Sequence, residues 1–473
     1  MTVSPARAAA FEILMRIETT DAYASEMLHS SQFAKLSQAD HGLLTELVMG
    51  VLRWRGTLDE RIKEHSKPPL GKLDVEVLTA LRMGAYQILF LDRVPGHAAI
   101  NESVELVKGA RKRSAAGMVN AVLRKISRDG DAVPYNGVPH PQKPGEMGHP
   151  AQPDIELDRR SSNYRSSDYR SSHPQWIVER WEEIYGQDGA RKICAYDQAA
   201  PATTIRVNDT AVLEELRAEG IRLESAKLLP KAFTVESGEI TRTAAFRERR
   251  LAVQDEASQL VALLVGRGKR VLDCCAAPGG KTRIISERNP ESEIVAMELH
   301  PRRAALLKRL VSSDNADERA QTGNVRVIAA DVRQMPLAKA FDRVLVDAPC
   351  SGTGTLARNP EIKWRLGAED IPRMAEYQIE ILRAAMKQVS SGGRLIYSTC
   401  SLEPEENSGV IEKALAENPS FRLLDCRDAL QELRADGELA WDDMDSLVSG
   451  TYLRTIPGVH PCDGFFAAII QRR

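Results

Sequence analysis

Val344-Leu-Val-Asp-Ala-Pro-Cys-Ser-Gly-Thr-Gly354 is the stretch that decides the fold of this chain. Val344, Leu345 and Val346 form a short apolar run, β-branched at two of its three positions, as a buried strand requires. The run delivers Asp347 and Cys350 into a loop that Pro349 stiffens and that Gly352 and Gly354 allow to turn. In an open parallel sheet, ligands bind outside the carboxyl ends of the strands, so an acid and a thiol here mark a site. Fifty residues on, Gly393-Arg-Leu-Ile-Tyr-Ser-Thr-Cys400 repeats the plan. A second strand ends in a second cysteine.

Working outward, helix and strand patterns alternate from Gln259. Short apolar runs at 271–273, 294–297, 325–330, 344–346 and 395–397 are spaced as the strands of a parallel, doubly wound α/β domain. Two late runs, 450–453 and 465–470, are expected to close an edge as a hairpin. The first strand leads into Asp273-Cys-Cys-Ala-Ala-Pro-Gly-Gly-Lys-Thr282, where glycines between strand and helix let the backbone approach a ligand. Gly-Lys-Thr suggests a phosphate-binding P-loop, but that motif requires glycine at 275 and finds Cys275. Glu298 ends the second strand 18 residues after Gly280, where a doubly wound fold places the acid that grips ribose hydroxyls. Asp331 ends the third strand, positioned for an adenine edge. A glycine loop followed by acids at two successive strand ends indicates an adenosyl cofactor.

Upstream, residues 1–128 carry helical periodicity throughout. Ser4-Pro5 opens the first helix, Ser37-x-x-Asp40 resembles a capping box, and Asp74 starts a third helix. This segment holds 18 Lys/Arg against 14 Asp/Glu, with the excess at its end: Lys108, Arg111, Lys112, Arg113, Arg124, Lys125, Arg128. Such a cluster is either a solvated helix face or a phosphate-backbone contact. Residues 129–173 are rich in Pro, Gly and an Arg-Ser-Ser repeat, and bury too little apolar surface to order; they are expected to be a flexible linker. Residues 174–256 alternate helix and strand in a small αβ lead-in subdomain, and 257–473 form the α/β domain.

A 473-residue chain with 43% apolar residues supports several domains, and a net charge of −2 confines nucleic-acid contact to local patches. The longest nearly apolar run, 260–265, is too short to cross a bilayer, and no signal peptide is evident. An odd count of seven cysteines points to reduced thiols and a cytoplasmic protein. No metal-ligand spacing of Cys and His is present, so no metal is expected. A monomer is the default.

The two cysteines carry the chemistry. A cytosine ring resists alkylation at C5 until a nucleophile adds at C6, and a thiolate both attacks near neutral pH and leaves readily. An acid such as Asp347 can protonate or hydrogen-bond N3 as charge builds. After transfer, a base must remove the C5 proton so that the thiol is expelled. One attacking cysteine, one helper and one acid at neighbouring strand ends meet that requirement, but chemistry alone does not order Cys350 and Cys400.

Residues 347–354, Cys275-Ala-Ala-Pro-Gly-Gly-Lys-Thr282, Ser398-Thr-Cys-Ser401 and Glu403-Pro-Glu-Glu-Asn407 together resemble the NOL/NOP/Sun family of S-adenosylmethionine-dependent RNA cytosine-5 methyltransferases. The helical start, with Pro95-Gly-His97 and Asn101-Glu102, is similar to the NusB-type RNA-binding domain of the bacterial RsmB, Sun or Fmu branch, which methylates small-subunit ribosomal RNA. The resemblance covers nearly all of the chain except 129–173. It implies an all-helical NusB-like bundle, an RRM-like lead-in, and a Rossmann-like methyltransferase domain. By position it implies Cys400 as nucleophile and Cys350 as the helper in release. Cys275, Ala276, Ala277, Pro278, Gly279, Gly280 and Lys281 would form the loop around the methionine part of S-adenosylmethionine. Glu298 would hold the ribose and Asp331 the adenine, with Asp347 between cofactor and target base. Lys281 is as readily structural as catalytic, and Asp273 is placed to orient the loop. Transfer RNA as substrate, and a non-catalytic RNA-binding assembly factor, are the alternatives; a P-loop ATPase is a distant third.

Overall fold

The structure is a computed structural model that describes residues 3–28, 30–33, 35–130, 168–311, 325–335, 337 and 340–473. The chain divides into two compact units: Met1–Ala200 with Leu356–Arg365, and Pro201–Thr355 with Leu366–Arg473.

The first unit is helical. The helix Gln38–Arg53 begins as the sequence suggests: Ser37 Oγ accepts the Asp40 N–H at 3.1 Å and donates back to Asp40 Oδ2 at 2.7 Å. Its apolar stripe of Leu44, Leu47, Val48 and Val51 is buried against Ile13, Leu14 and Ile17 of Pro5–Thr19 and Leu81 and Ala85 of Val75–Phe90. Each such side chain contributes about 1.5–3 kcal/mol on burial. Lys108, Arg111, Arg113, Arg124, Lys125 and Arg128 are all exposed. Of the expected linker, residues 131–167 lie outside the described residues. Its two ends are helical, in Ala116–Gly130 and Asp168–Ser171. The helix Gln175–Gln198, interrupted by non-helical Gly186, groups with this unit.

The second unit holds two sheets. The smaller consists of β1 (Thr203–Val207), β2 (Arg222–Ser225), β3 (Ala232–Ser237) and β4 (Leu251–Val253), antiparallel in the order β2-β3-β1-β4. β4, at the end of this lead-in, is its fourth strand. The larger sheet runs β11 (Val448–Ser449), β12 (Tyr452–Thr455), β13 (Phe465–Arg472), β9 (Val389–Thr399), β8 (Phe341–Asp347), β5 (Arg270–Asp273), β6 (Glu293–Glu298) and β7 (Val325–Ala329), with β10 (Phe421–Leu424) also on β13. β9, β8, β5, β6 and β7 are parallel, as a doubly wound domain requires. The late hairpin forms, with Leu453 opposite Ala467, but it does not supply a simple edge. β13 is interior, paired antiparallel to β9 on one side and to β12 on the other. Its run of six buried residues, Phe465–Ile470, is the reason: a strand apolar on both faces belongs inside a sheet.

The parallel strands place the chemistry. β5, β6 and β8 end at Asp273, Glu298 and Asp347, and β9 ends one residue before Cys400.

Candidate active site

Asp347 leaves β8 with both carboxylate oxygens engaged. Lys281 Nζ donates to Oδ2 at 2.7 Å, and Ser398 Oγ, from the paired position on β9, donates to Oδ1 at 2.8 Å. The Lys281 and Asp347 side chains are 13% and 26% exposed, so this pair is partly shielded from water. Lys281 Nζ also lies 5.0 Å from the Phe465 ring centroid, a cation–π contact. The lysine therefore ties the glycine loop to the acid at the next strand end.

The glycine loop is held from below by Asp273. Its Oδ2 accepts the Thr282 hydroxyl at 2.7 Å, and burial raises its pKa to about 7. Gly279 sits at φ 122°, which favours glycine, and a Cβ there would lie 2.8 Å from Leu307 Cδ1 and push that side chain aside. Cys274 is buried, and Cys275 is half-buried with its thiol pKa pushed up by burial. Glu298 is 5% exposed, and its Oε1 takes the His300 N–H at 3.0 Å. Asp331 stands two residues beyond β7, not on it, and caps the short turn Val332–Gln334. Arg333 Nε contacts both of its oxygens at 3.1 Å, which holds its pKa below the usual carboxylate range.

The two cysteines meet. Cys350 Sγ and Cys400 Sγ are 3.3 Å apart and both side chains are half-buried. Contact with the Cys400 sulfur, then desolvation and the charge of Glu406, push the Cys350 thiol well up. Their loops are laced by backbone bonds: Gly354 N donates to Cys400 O at 2.9 Å, and Gly464 N to Gly354 O at 2.8 Å. A Cβ on Gly354 would fall 2.2 Å from Gly464 O, so only glycine permits this approach. The structure thus brings Cys350, Cys400, Asp347 and Lys281 together, with the glycine loop alongside and Glu298 at the next strand end.

Comparison with known proteins agrees with this layout. The family model described as 16S rRNA methyltransferase RsmB/F matches residues 260–471, the NusB family model matches 4–128, and the RsmF/B-like ferredoxin-like domain matches 173–240. A Bacillus subtilis protein named "Probable ribosomal RNA small subunit methyltransferase B" is 32% identical, with both chains covered in full. The chain belongs to the RsmB/F family of 16S rRNA methyltransferases. A Vibrio cholerae relative, named ribosomal RNA small subunit methyltransferase B, is 32% identical over 99% of this chain and 97% of that protein. Among solved structures, that of PH0851 covers both chains fully, with a TM-score of 0.74 at 24% identity, and shares the fold.

Within this RsmB/F-family site the sequence left several residues unread. Glu406, Gln378, Ser351 and Ser401 form a buried polar cluster directly behind the thiols. One signal for it is present in the sequence: each of the two strand-end cysteines is followed by serine, and an acid-rich Glu403–Asn407 segment comes next. Also unread was the segment after the Cys350 loop, which enters the helical unit. There Lys363 Nζ donates to Arg53 O at 3.0 Å, Trp364 Nε1 to Leu52 O at 2.7 Å, and Arg365 to Ile17 O at 2.9 Å. No group of side chains able to hold a metal occurs among the described residues, and no described helix is long and apolar enough to cross a membrane.

Proposed function

We propose that this protein is an S-adenosylmethionine-dependent RNA (cytosine-5)-methyltransferase that acts on a cytidine of small-subunit ribosomal RNA through a covalent Cys400 adduct. The observation that carries the reading is the 3.3 Å approach of two cysteines beside a fixed carboxylate at the ends of β8 and β9. A binding module has no use for paired thiols at a strand end. The names of the full-length relatives favour ribosomal over transfer RNA.

Residues present in the chain fit an adenosyl methyl donor. The loop 275–281 approaches with backbone alone at Gly279, buried Glu298 offers a carboxylate to ribose hydroxyls, and Asp331, fixed by Arg333, offers acceptors to the adenine amine. Bound there, S-adenosylmethionine supplies the electrophilic methyl group for C5.

The protein's own groups do the rest. The Cys400 thiol proton passes to the Asp347 carboxylate and from it to N3, as Cys400 Sγ adds to C6 and the displaced electron pair makes C5 enamine-like. Lys281 and Ser398 hold Asp347 in a single orientation for that contact. Cys350 starts as a thiol, because Cys400, desolvation and Glu406 all raise its pKa. Once Cys400 is bonded to carbon, Cys350 loses its thiol proton to water, the one proton that methyl transfer releases overall, and stands as a thiolate. It then takes the C5 proton, the C5=C6 bond re-forms, the C6–S bond breaks, and Cys400 leaves as thiolate. The assignment of Cys400 as nucleophile and Cys350 as the residue of release rests on the family resemblance of residues 347–354 and 398–401. The target base must be flipped out of any stack at a cost of a few kcal/mol. The exposed arginines and lysines at 108–128 supply phosphate contacts toward that cost.

The test is covalent trapping. Cys350→Ala, incubated with total bacterial RNA and S-adenosylmethionine, is expected to give a slow-migrating RNA–protein band on a denaturing gel, and Cys400→Ala none. A band from Cys400→Ala alone would reverse the two roles. No methyl transfer by the unmodified protein would return the case to a non-catalytic RNA-binding factor.

A further inference from the structure

The segment Glu403–Asn407 contains no residue that touches the reacting atoms in the mechanism above, yet its carboxylate at Glu406 is fully buried next to both thiol loops. Glu406 Oε1 accepts the Ser351 backbone N–H at 2.9 Å and Gln378 Nε2 at 2.8 Å. Oε2 accepts the hydroxyls of Ser351 and Ser401 in two short hydrogen bonds. Ser351 follows Cys350, and Ser401 follows Cys400. One carboxylate therefore binds the residue after each thiol.

The preceding residues are fixed by the same cluster. Gln378 Nε2 also reaches Pro349 O at 2.9 Å, which pins the chain before Cys350. Asn407 Nδ2 donates to Ser401 O at 2.9 Å, and its Oδ1 accepts the Thr399 hydroxyl at 2.5 Å, which pins the chain on either side of Cys400. Tyr397 OH closes the cluster onto the Glu406 carbonyl at 2.6 Å.

We propose that Glu406 is a positioning residue, which sets the separation of Cys350 and Cys400 by accepting a hydrogen bond from the serine that follows each of them. The proposal deepens, and rests on, the cytosine-methylating reading of the site. Burial of a carboxylate costs several kcal/mol unless it is fully hydrogen-bonded, and four donors meet that demand here. A group held at that cost, with donors drawn from both reacting loops, transmits the position of one loop to the other. The chemistry needs this: proton removal at C5 and expulsion at C6 occur on adjacent ring atoms, and displacement of one sulfur by about 1 Å costs roughly a hundredfold in rate.

The experiment compares the full-length protein with Glu406→Ala, Glu406→Gln and the double variant Ser351→Ala/Ser401→Ala. The first readout is independent of RNA. Diamide accepts the two electrons and two protons of the thiols, and mass spectrometry follows formation of the Cys350–Cys400 disulfide. The second is methyl transfer to bacterial RNA from labelled S-adenosylmethionine. Glu406→Ala is expected to form the disulfide at least about tenfold more slowly, and to lose about a hundredfold in kcat with KM for RNA changed by less than about threefold. Glu406→Gln, whose amide can still accept from Ser351 N and donate to the serine hydroxyls, is expected to recover both rates to within about tenfold. The serine pair leaves the other two donors on Glu406 intact, so it decides the matter should Glu406→Ala fail to fold. A wild-type disulfide rate in the serine pair, or a loss carried by KM in Glu406→Ala, overturns the proposal. If the unmodified protein transfers no methyl group, the functional reading fails, and the disulfide rates still decide whether Glu406 sets the thiols.

Discussion

Replacement of Asp347 by Asn, of Lys281 by Met, and of both together tests how the acid at the end of β8 is made to work. Asp347→Asn keeps an oxygen for Ser398 Oγ, now at 2.8 Å, but turns an amide toward the Lys281 ammonium, now at 2.7 Å from Oδ2. If Asp347 neutralises N3 as C6 is attacked, its loss removes a preorganised group from the transition state, worth on the order of 10²–10³ in kcat. Lys281→Met places a thioether against Phe465 in place of the cation and removes one charge-assisted hydrogen bond from a pair only 13% and 26% exposed. Such a bond contributes about 1.5–3 kcal/mol, so the expected loss is about 10- to 150-fold. Lys281 is argued to act through Asp347 alone. The double variant is therefore expected to be no slower than Asp347→Asn, because a lysine with nothing to orient contributes nothing further. Single-turnover methyl transfer with saturating RNA and S-adenosylmethionine measures all three. A double variant that loses the product of the two single losses refutes the reasoning and gives Lys281 an independent role.

Two further predictions concern stability. Glu256 is 3% exposed, accepts Leu228 N at 2.8 Å and Leu229 N at 2.9 Å on one oxygen, and burial raises its pKa to about 7. A raised folded-state value leaves the carboxyl uncharged and without penalty at low pH, and stability is lost as pH climbs from 4.5 through 7. Glu256→Gln keeps both acceptor contacts without the charge, so it is expected to stabilise by about 3 kcal/mol at pH 8 and by far less at pH 5. Thermal melts at the two pH values check this, and an equal shift at both refutes it. In the helical unit, Lys363 is fully buried near Asp197, which itself pairs with His173 at 3.2 Å; burial pushes the pKa of both Lys363 and His173 down. With His173 neutral, Lys363 balances the Asp197 charge. Lys363→Met is expected to destabilise by about 3–5 kcal/mol, and the added change Asp197→Asn to restore most of it. A Lys363→Met protein that melts at the unmodified temperature contradicts this charge balance.

Much of this site was legible because its signals are local. A strand of three to five apolar residues followed by an acid, a glycine pair or a cysteine states both its geometry and its chemistry within ten residues. Asp273, Glu298 and Asp347 accordingly stand at the ends of β5, β6 and β8. Asp331 was legible only approximately, because β7 stops at Ala329 and the acid is spent capping a turn. β13 was legible as a strand but not as an interior one, since strand order depends on partners more than fifty residues away on β9. Glu406 was illegible as a bridge for the same reason. Its donors, Ser351, Gln378 and Ser401, are scattered over fifty residues, and beyond the serine that follows each cysteine nothing in the sequence connects them.

The hardest feature to see was the segment Leu356–Arg365, which begins six residues after Cys350 and yet belongs to the helical unit. A helix leaves its last carbonyls without intrahelical partners. In Gln38–Arg53 two of these, on Leu52 and Arg53, are taken by Trp364 and Lys363. Arg53 in return donates to Ala357 O at 3.1 Å, and Glu361 accepts the Ala24 N–H at 3.0 Å. A helical fragment ending near residue 128 therefore retains the apolar core of Leu44, Leu47 and Leu81 but loses the donors for its own helix ends. Domain boundaries drawn from hydrophobic period alone pass over such an exchange, because Lys363, Trp364 and Arg365 carry the composition of a surface loop. The physical consequence is that the peptide leaving the Cys350 loop is not free to relax: its next ten residues are ordered by helices encoded three hundred residues earlier.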